Sequence, residues 1–151
     1  IEYRMRSDDY GNERSSFEHS TQSYPSAQLP LLIRGLDFDG SDTRSFSVAV
    51  ADNETHVPAQ AVLQGTVSIE TEAGSFEAER IVVTYDEPVP SPIGEESAQA
   101  ETYWRSTGPK RLLVRMEAKS GRYRMALVEH LRTPYWKENL WPKLARIEQR
   151  P

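Results

Sequence analysis

The chain reads as a mainly β domain: a single antiparallel meander sheet, strongly bent or closed into an incomplete barrel, with one short helix and a C-terminal strap. Three observations predict this. Apolar and polar residues alternate along several stretches, turn residues separate those stretches, and three pairs of arms read as hairpins whose two sides agree in register. The most consistent hairpin runs from Leu112 to Leu131. With Ser120-Gly121 as its tight loop, Ala118 faces Tyr123, Met116 faces Met125 and Val114 faces Leu127 on one side, while Glu117 faces Arg124 on the other. A slip of one residue would turn every apolar side chain outward, so the pattern fixes the pairing.

The elements follow in order. Ile1, Tyr3 and Met5 alternate against Glu2, Arg4 and Arg6 up to a turn cluster at Ser7–Asn12, and a more polar arm follows near Arg14 to Thr21. A start in mid-pattern suggests that an upstream segment has been removed. Leu29, Leu32, Ile33 and Leu36 recur at helical spacing, with Ser26 as the expected cap and Pro30 tolerable only in the first turn. Strand patterns resume at Thr43–Ala51, with Phe46, Val48 and Val50 on one face, and at Val57–Leu63, where Pro58 implies an edge or a bulge.

A long hairpin spans Thr66 to Tyr85. A turn at Ala73-Gly74 would set Thr71 against Phe76, Ile69 against Ala78 and Glu70 against Glu77. Pro88, Pro90, Pro92 and Gly94 make residues 86–99 a mobile Pro-rich loop in this reading. Glu101–Arg105 is a further strand, joined to the Leu112–Leu131 hairpin through Thr107-Gly108-Pro109. Beyond Pro134 the tail carries Tyr135, Trp136, Leu140, Trp141, Leu144 and Ile147, a strap that lays aromatics on the sheet. Residues 1–133 are thus expected to form the β domain and residues 134–151 an aromatic strap of the same domain.

A chain of 151 residues is long enough for one domain with a real core, since it buries roughly two thirds of its unfolded surface. The formal charge of −5 argues against a nucleic-acid surface, for which a basic patch is the usual footprint. There is no cysteine, hence no thiolate or disulfide chemistry. No apolar run reaches the length of about 18 residues that a transmembrane helix needs, and no signal peptide is recognisable.

Few constellations point to chemistry. Asp37, Asp39 and Asp42 in a Gly40-containing turn are of the type that binds a hard cation, but Gly40 stands at the fourth position of the segment and Val48 takes the place of the bidentate glutamate, so an Asx turn is expected and no metal. His19, His56 and His130 lie on separate expected strands without metal-ligand spacing. Glu129 and His130 are strand neighbours that point to opposite faces. Glu70 and Glu77, as cross-strand neighbours, have the separation of a glycosidase pair yet lack an apolar wall to raise one pKa. No nucleophile elbow, phosphate loop or dinucleotide fingerprint occurs, and no cofactor is expected. Tyr103, Trp104, Tyr135, Trp136 and Trp141 place all three tryptophans in the final third, where they either close the core or line a ligand site.

The succession of Gly65 to Ile81, then Glu101 to Trp104, then Lys110 to Glu117, then Tyr123 to Leu127 resembles a family of uncharacterised β-rich exported proteins of the bacterial envelope, in which such a hairpin, a Tyr-Trp strand and an Arg-Leu-Val-Arg strand follow one another. The resemblance covers about Leu63 to Thr133, and the architecture is similar to periplasmic half-barrels that carry lipoprotein acyl chains. The resemblance places the chain in the periplasm or envelope and transfers no residue roles; the curled sheet itself points to a non-catalytic binding or structural protein with a lipid-like or glycan ligand, and the clustering of aromatics makes Trp104, Tyr135, Trp136 and Trp141 the candidate ligand contacts. The alternatives are a module that recruits an envelope protein partner through an edge strand or the Pro-rich loop and, last, a carbohydrate-active enzyme.

Overall fold

A computed structural model describes residues 2–7, 11–16, 23–50, 55–93, 97–128 and 145–149. β1 (Glu2–Ser7) and β2 (Gly11–Ser16) pair antiparallel as a two-stranded sheet of their own, rather than as part of the meander. β3 (Ser23–Pro25), β4 (Thr43–Val50), β5 (Thr55–Thr71), β6 (Gly74–Val89), β7 (Ala98–Ser106), β8 (Leu113–Ala118), β9 (Tyr123–Leu127) and β10 (Ala145–Gln149) form one eight-stranded sheet in chain order. Its end strands do not pair with each other, so the sheet is open. The fold is mainly β, as the alternation predicts. One strand departs from the antiparallel scheme: β3 runs parallel to β4. Parallel neighbours need a crossover, and the segment that carries α1 (Leu29–Gly35) supplies it.

α1 follows a 3₁₀ turn at Ser26–Gln28. Gln28, not Ser26, stands at its N-cap, without a side-chain cap bond, and Pro30 falls in the first turn, where a missing N–H removes no helical bond. Leu29 and Ile33 are fully buried against the inner face of the sheet. That face collects Phe46, Val48 and Val50 from β4, Val57, Ala59 and Ala61 from β5, Ile81, Val83 and Tyr85 from β6, Tyr103 from β7 and Met116 and Ala118 from β8. Their alternation with exposed residues is the period-2 signal of a half-covered sheet.

The structure corrects four details. The two strands expected at Val57–Leu63 and from Thr66 are one strand of 17 residues, carried through a bulge between Leu63 and Thr66 where Gly65 has φ +103°. Pro58 sits opposite Ser47, outside the stretch paired with β6, which begins at Ala59 opposite Tyr85. The β5–β6 turn lies at Glu72-Ala73, so Ile69 faces Phe76, Glu70 faces Ser75 and Thr71 faces Gly74. Thr71 Oγ1 accepts from the Ala73 amide at 3.1 Å and donates to the Gly74 carbonyl at 3.2 Å, which fixes the tight turn one residue earlier than the glycine suggested.

Both ends of the stretch expected as a mobile loop, residues 86–89 and 98–99, are strand. β6 continues to Val89, which pairs with Ala98, and Val89, Ile93 and Ala98 are all buried. In the tail, β10 pairs with β9, Ile147 opposite Met125, so this part of the strap is a sheet edge.

The β8–β9 register is the expected one, with Met116 opposite Met125 and Glu117 opposite Arg124. Val114 is the fourth correction. Trp104 pairs with Arg115 and Arg105 with Leu113, leaving Val114 as an extra residue on β8. The bulge detaches it from Met116 and buries it with Ile69 and Ala78 in a second cluster, packed on by Phe76 and Trp104.

Candidate functional site

Alternation along β7 sends Glu101, Tyr103 and Arg105 to the inner face and Thr102 and Trp104 to the outer face, and each set has its own chemistry. On the inner face the carboxylate of Glu101 is fully buried, yet it accepts hydrogen bonds from the Tyr85 and Tyr103 hydroxyls at 2.6 Å each and from Ser91 at 2.5 Å. Burial and the adjacent charges hold both tyrosine hydroxyls well above their usual ionisation range. Arg105, 2% exposed, gives its Nε and Nη2 to one oxygen of Glu79 at 2.8 and 2.6 Å and its Nη1 to the Ile33 and Leu36 carbonyls at the end of α1. A cation at a helix C-terminus meets unpaired carbonyls and the negative end of the dipole. Both groups are buried and hold α1 and the 90–93 segment to the sheet. Sequence reasoning read them as strand positions only; the recurrence of Glu101, Tyr103 and Arg105 at a period of two was the available signal.

On the outer face the register builds a row across three strands: Arg80 on β6 pairs with Trp104 on β7, and Trp104 pairs with Arg115 on β8. Trp104 is half-buried, and its ring packs on the cluster of Ile69, Ala78 and Val114 next to Phe76. The Arg115 guanidinium lies 5.4 Å from the ring centroid, a cation–π contact, while its Nε is 3.0 Å from Glu117. Arg80 is exposed. In the next row Thr102 pairs with Glu117, and Glu117 with Arg124. A concavity of about 410 Å³ opens at the end of this face, lined by Phe76, Glu77, Ser106, Thr107, Lys110 and Leu112 among others. Another of about 470 Å³ lies between Pro88, Ala98, Ala100 and Lys119.

Of the expected ligand contacts, Trp104 is therefore on the sheet's outer face, and Tyr135, Trp136 and Trp141 lie outside the described residues, as do His19, Glu129 and His130. Arg80, Arg115 and Phe76 join Trp104 without having been singled out, because their convergence needs the β6–β7–β8 pairing. The Asp37–Asp42 turn is clasped by Arg44, whose Nε and Nη2 donate to the Asp37 and Asp39 carbonyls at 2.6 and 2.8 Å. Among the described residues no three acids or histidines converge on a metal position. Glu70 and Glu77 are not opposed: Glu70 accepts from Ser75, and Glu77 stands opposite Ser68. Ser23 Oγ lies 2.6 Å from His56 Nδ1, but Ser23 is 1% exposed, which leaves its hydroxyl no access to a substrate. No helix among the described residues is long and apolar enough to cross a membrane.

No family model, no curated protein and no solved structure matches this chain.

Proposed function

We propose that this is a non-catalytic binding protein whose open sheet presents Trp104 to a glycan. The observation that carries the reading is the division of labour between the faces: the inner face is filled by α1 and the core, while Trp104 stands half-exposed outside, beside Phe76 and a concavity at the end of the face. An indole ring supplies a rigid apolar plate with a polar edge, suited to the C–H face of a sugar ring. A lipid chain is the less favoured occupant, because the inner surface that would shelter it is packed by Leu29, Ile33, Tyr103 and Met116. The bacterial envelope, and the periplasm in particular, is proposed as the setting on the residue resemblance from Leu63 to Thr133; fractionation of the source cells tests it.

The direct test is a glycan array followed by calorimetry with wild-type protein and Trp104→Leu. Saturable binding that Trp104→Leu weakens about tenfold or more, with the fold retained, supports the reading. Absence of glycan binding at high micromolar protein rejects it. A protein interaction module is the second reading, favoured by one observation: among the described residues β3 covers only Ser47–Ala49 of β4, and Thr43–Phe46 have a described sheet neighbour on one side only.

A further inference from the structure

The whole chain carries a net charge of −5, yet the outer face of its paired β6–β9 stretches carries more arginine than acid. Across the paired stretches of β6 to β9, the charged residues on that face are Arg80, Arg115 and Arg124 against Glu117 alone. The register, rather than the composition, makes this segregation: Arg80 and Arg115 are the two direct cross-strand neighbours of Trp104, one on each side. With strands about 4.8 Å apart, their Cα positions are separated by roughly 9–10 Å with the indole between them. Arg115 is already oriented, stacked on Trp104 and tethered to Glu117. Arg80 is exposed and forms no ion pair or hydrogen bond with any other described residue.

Resting on the glycan reading above, we propose that the ligand class is an acidic oligosaccharide, one that bears carboxylates at intervals along a sugar chain. A guanidinium fork is matched to a carboxylate, and the exposed Arg80 beside Trp104, with Arg115 lying over the ring, gives a chain that bears acidic groups at intervals two such forks to meet. Nucleic acid fits less well. Among the described residues the face offers one tryptophan rather than the series of stacking rings that a run of bases needs.

The experiment is titration of wild-type protein, Arg80→Gln and Arg80→Lys with oligogalacturonate, with a neutral oligosaccharide of equal length and with a single-stranded oligonucleotide, each at low and at physiological salt. The expected result is oligogalacturonate binding that weakens as salt is raised, falls about tenfold or more in Arg80→Gln and is partly restored in Arg80→Lys, with circular dichroism unchanged. Equal affinity for acidic and neutral sugars, or an unaltered Arg80→Gln, overturns the acidic assignment and leaves the glycan reading standing. Binding of no sugar at all overturns both. Tighter binding of the oligonucleotide replaces the glycan with nucleic acid and overturns the proposal.

Discussion

At the scale of single residues, the chain hides its two most constrained polar groups inside a strand. Glu101 satisfies its buried charge with three hydroxyls, and Arg105 ties Glu79 to the end of α1. Removing the buried Arg105 leaves the Ile33 and Leu36 carbonyls without their donor and the partly exposed Glu79 without its partner, so Arg105→Met is expected to cost about 1–3 kcal/mol in urea unfolding, above Arg80→Gln, which should cost under about 0.5 kcal/mol. The tyrosines give a pH signature. Tyr85 and Tyr103 have folded-state pKa values raised above the ordinary 10.0, so above pH 10 the unfolded chain releases protons that the native state retains. Unfolding is then favoured as pH rises, and the contribution of these two groups is constant below that range. Two such groups predict a loss of about 2.7 kcal/mol per pH unit above roughly pH 10. Denaturant midpoints from pH 8 to 11 check this, and Tyr85→Phe should about halve the slope.

At the scale of elements, the bulges decide where apolar side chains go. Val114 is fully buried although it leaves the face of Met116, so Val114→Asp should cost several kcal/mol through an unpaired buried charge. Arg115→Ser, at a position 26% exposed, should cost under about 1 kcal/mol. The reverse ranking of unfolding midpoints would refute the register. The stretch around Pro88, Pro90 and Pro92 provides a second contrast. Ile93 is 2% exposed, so Ile93→Ala is expected to cost about 2–5 kcal/mol, as for other buried isoleucines, whereas a free loop would tolerate it at no measurable cost. Alternation alone located β4, β8 and β9, because one face of each is apolar and the other is not. It failed at residues 86–89, where Pro88 and the acids Asp86 and Glu87 read as a breaker; these three are exposed, and the core contact is made by Val89.

At the scale of the whole molecule, the sheet is an open series of neighbours with a filled inner face and an outer face that carries Arg80, Trp104 and Arg115 across β6 to β8. Arg44 holds the Asp37–Asp42 turn through the Asp37 and Asp39 carbonyls, so 5 mM Ca²⁺ or excess EDTA should leave the melting temperature unchanged; a rise with Ca²⁺ would reveal a site by mass action. The dominance of pairings between separate strands predicts folding on the millisecond-to-second scale, slower than a helical domain of this size, measurable by stopped-flow refolding.

The sequence by itself determined the class of fold, the short helix and the β8–β9 register, because period-2 and helical spacing are local consequences of backbone geometry and a mispaired hairpin would expose its apolar side chains. It also located Trp104 on a strand. Only the tertiary structure decided which face that tryptophan occupies, which arginines flank it, and that Glu101 and Arg105 are buried. Those facts arise from pairing between residues far apart in the chain and from bulges at Gly65 and Val114, each of which shifts by one residue what every later side chain meets.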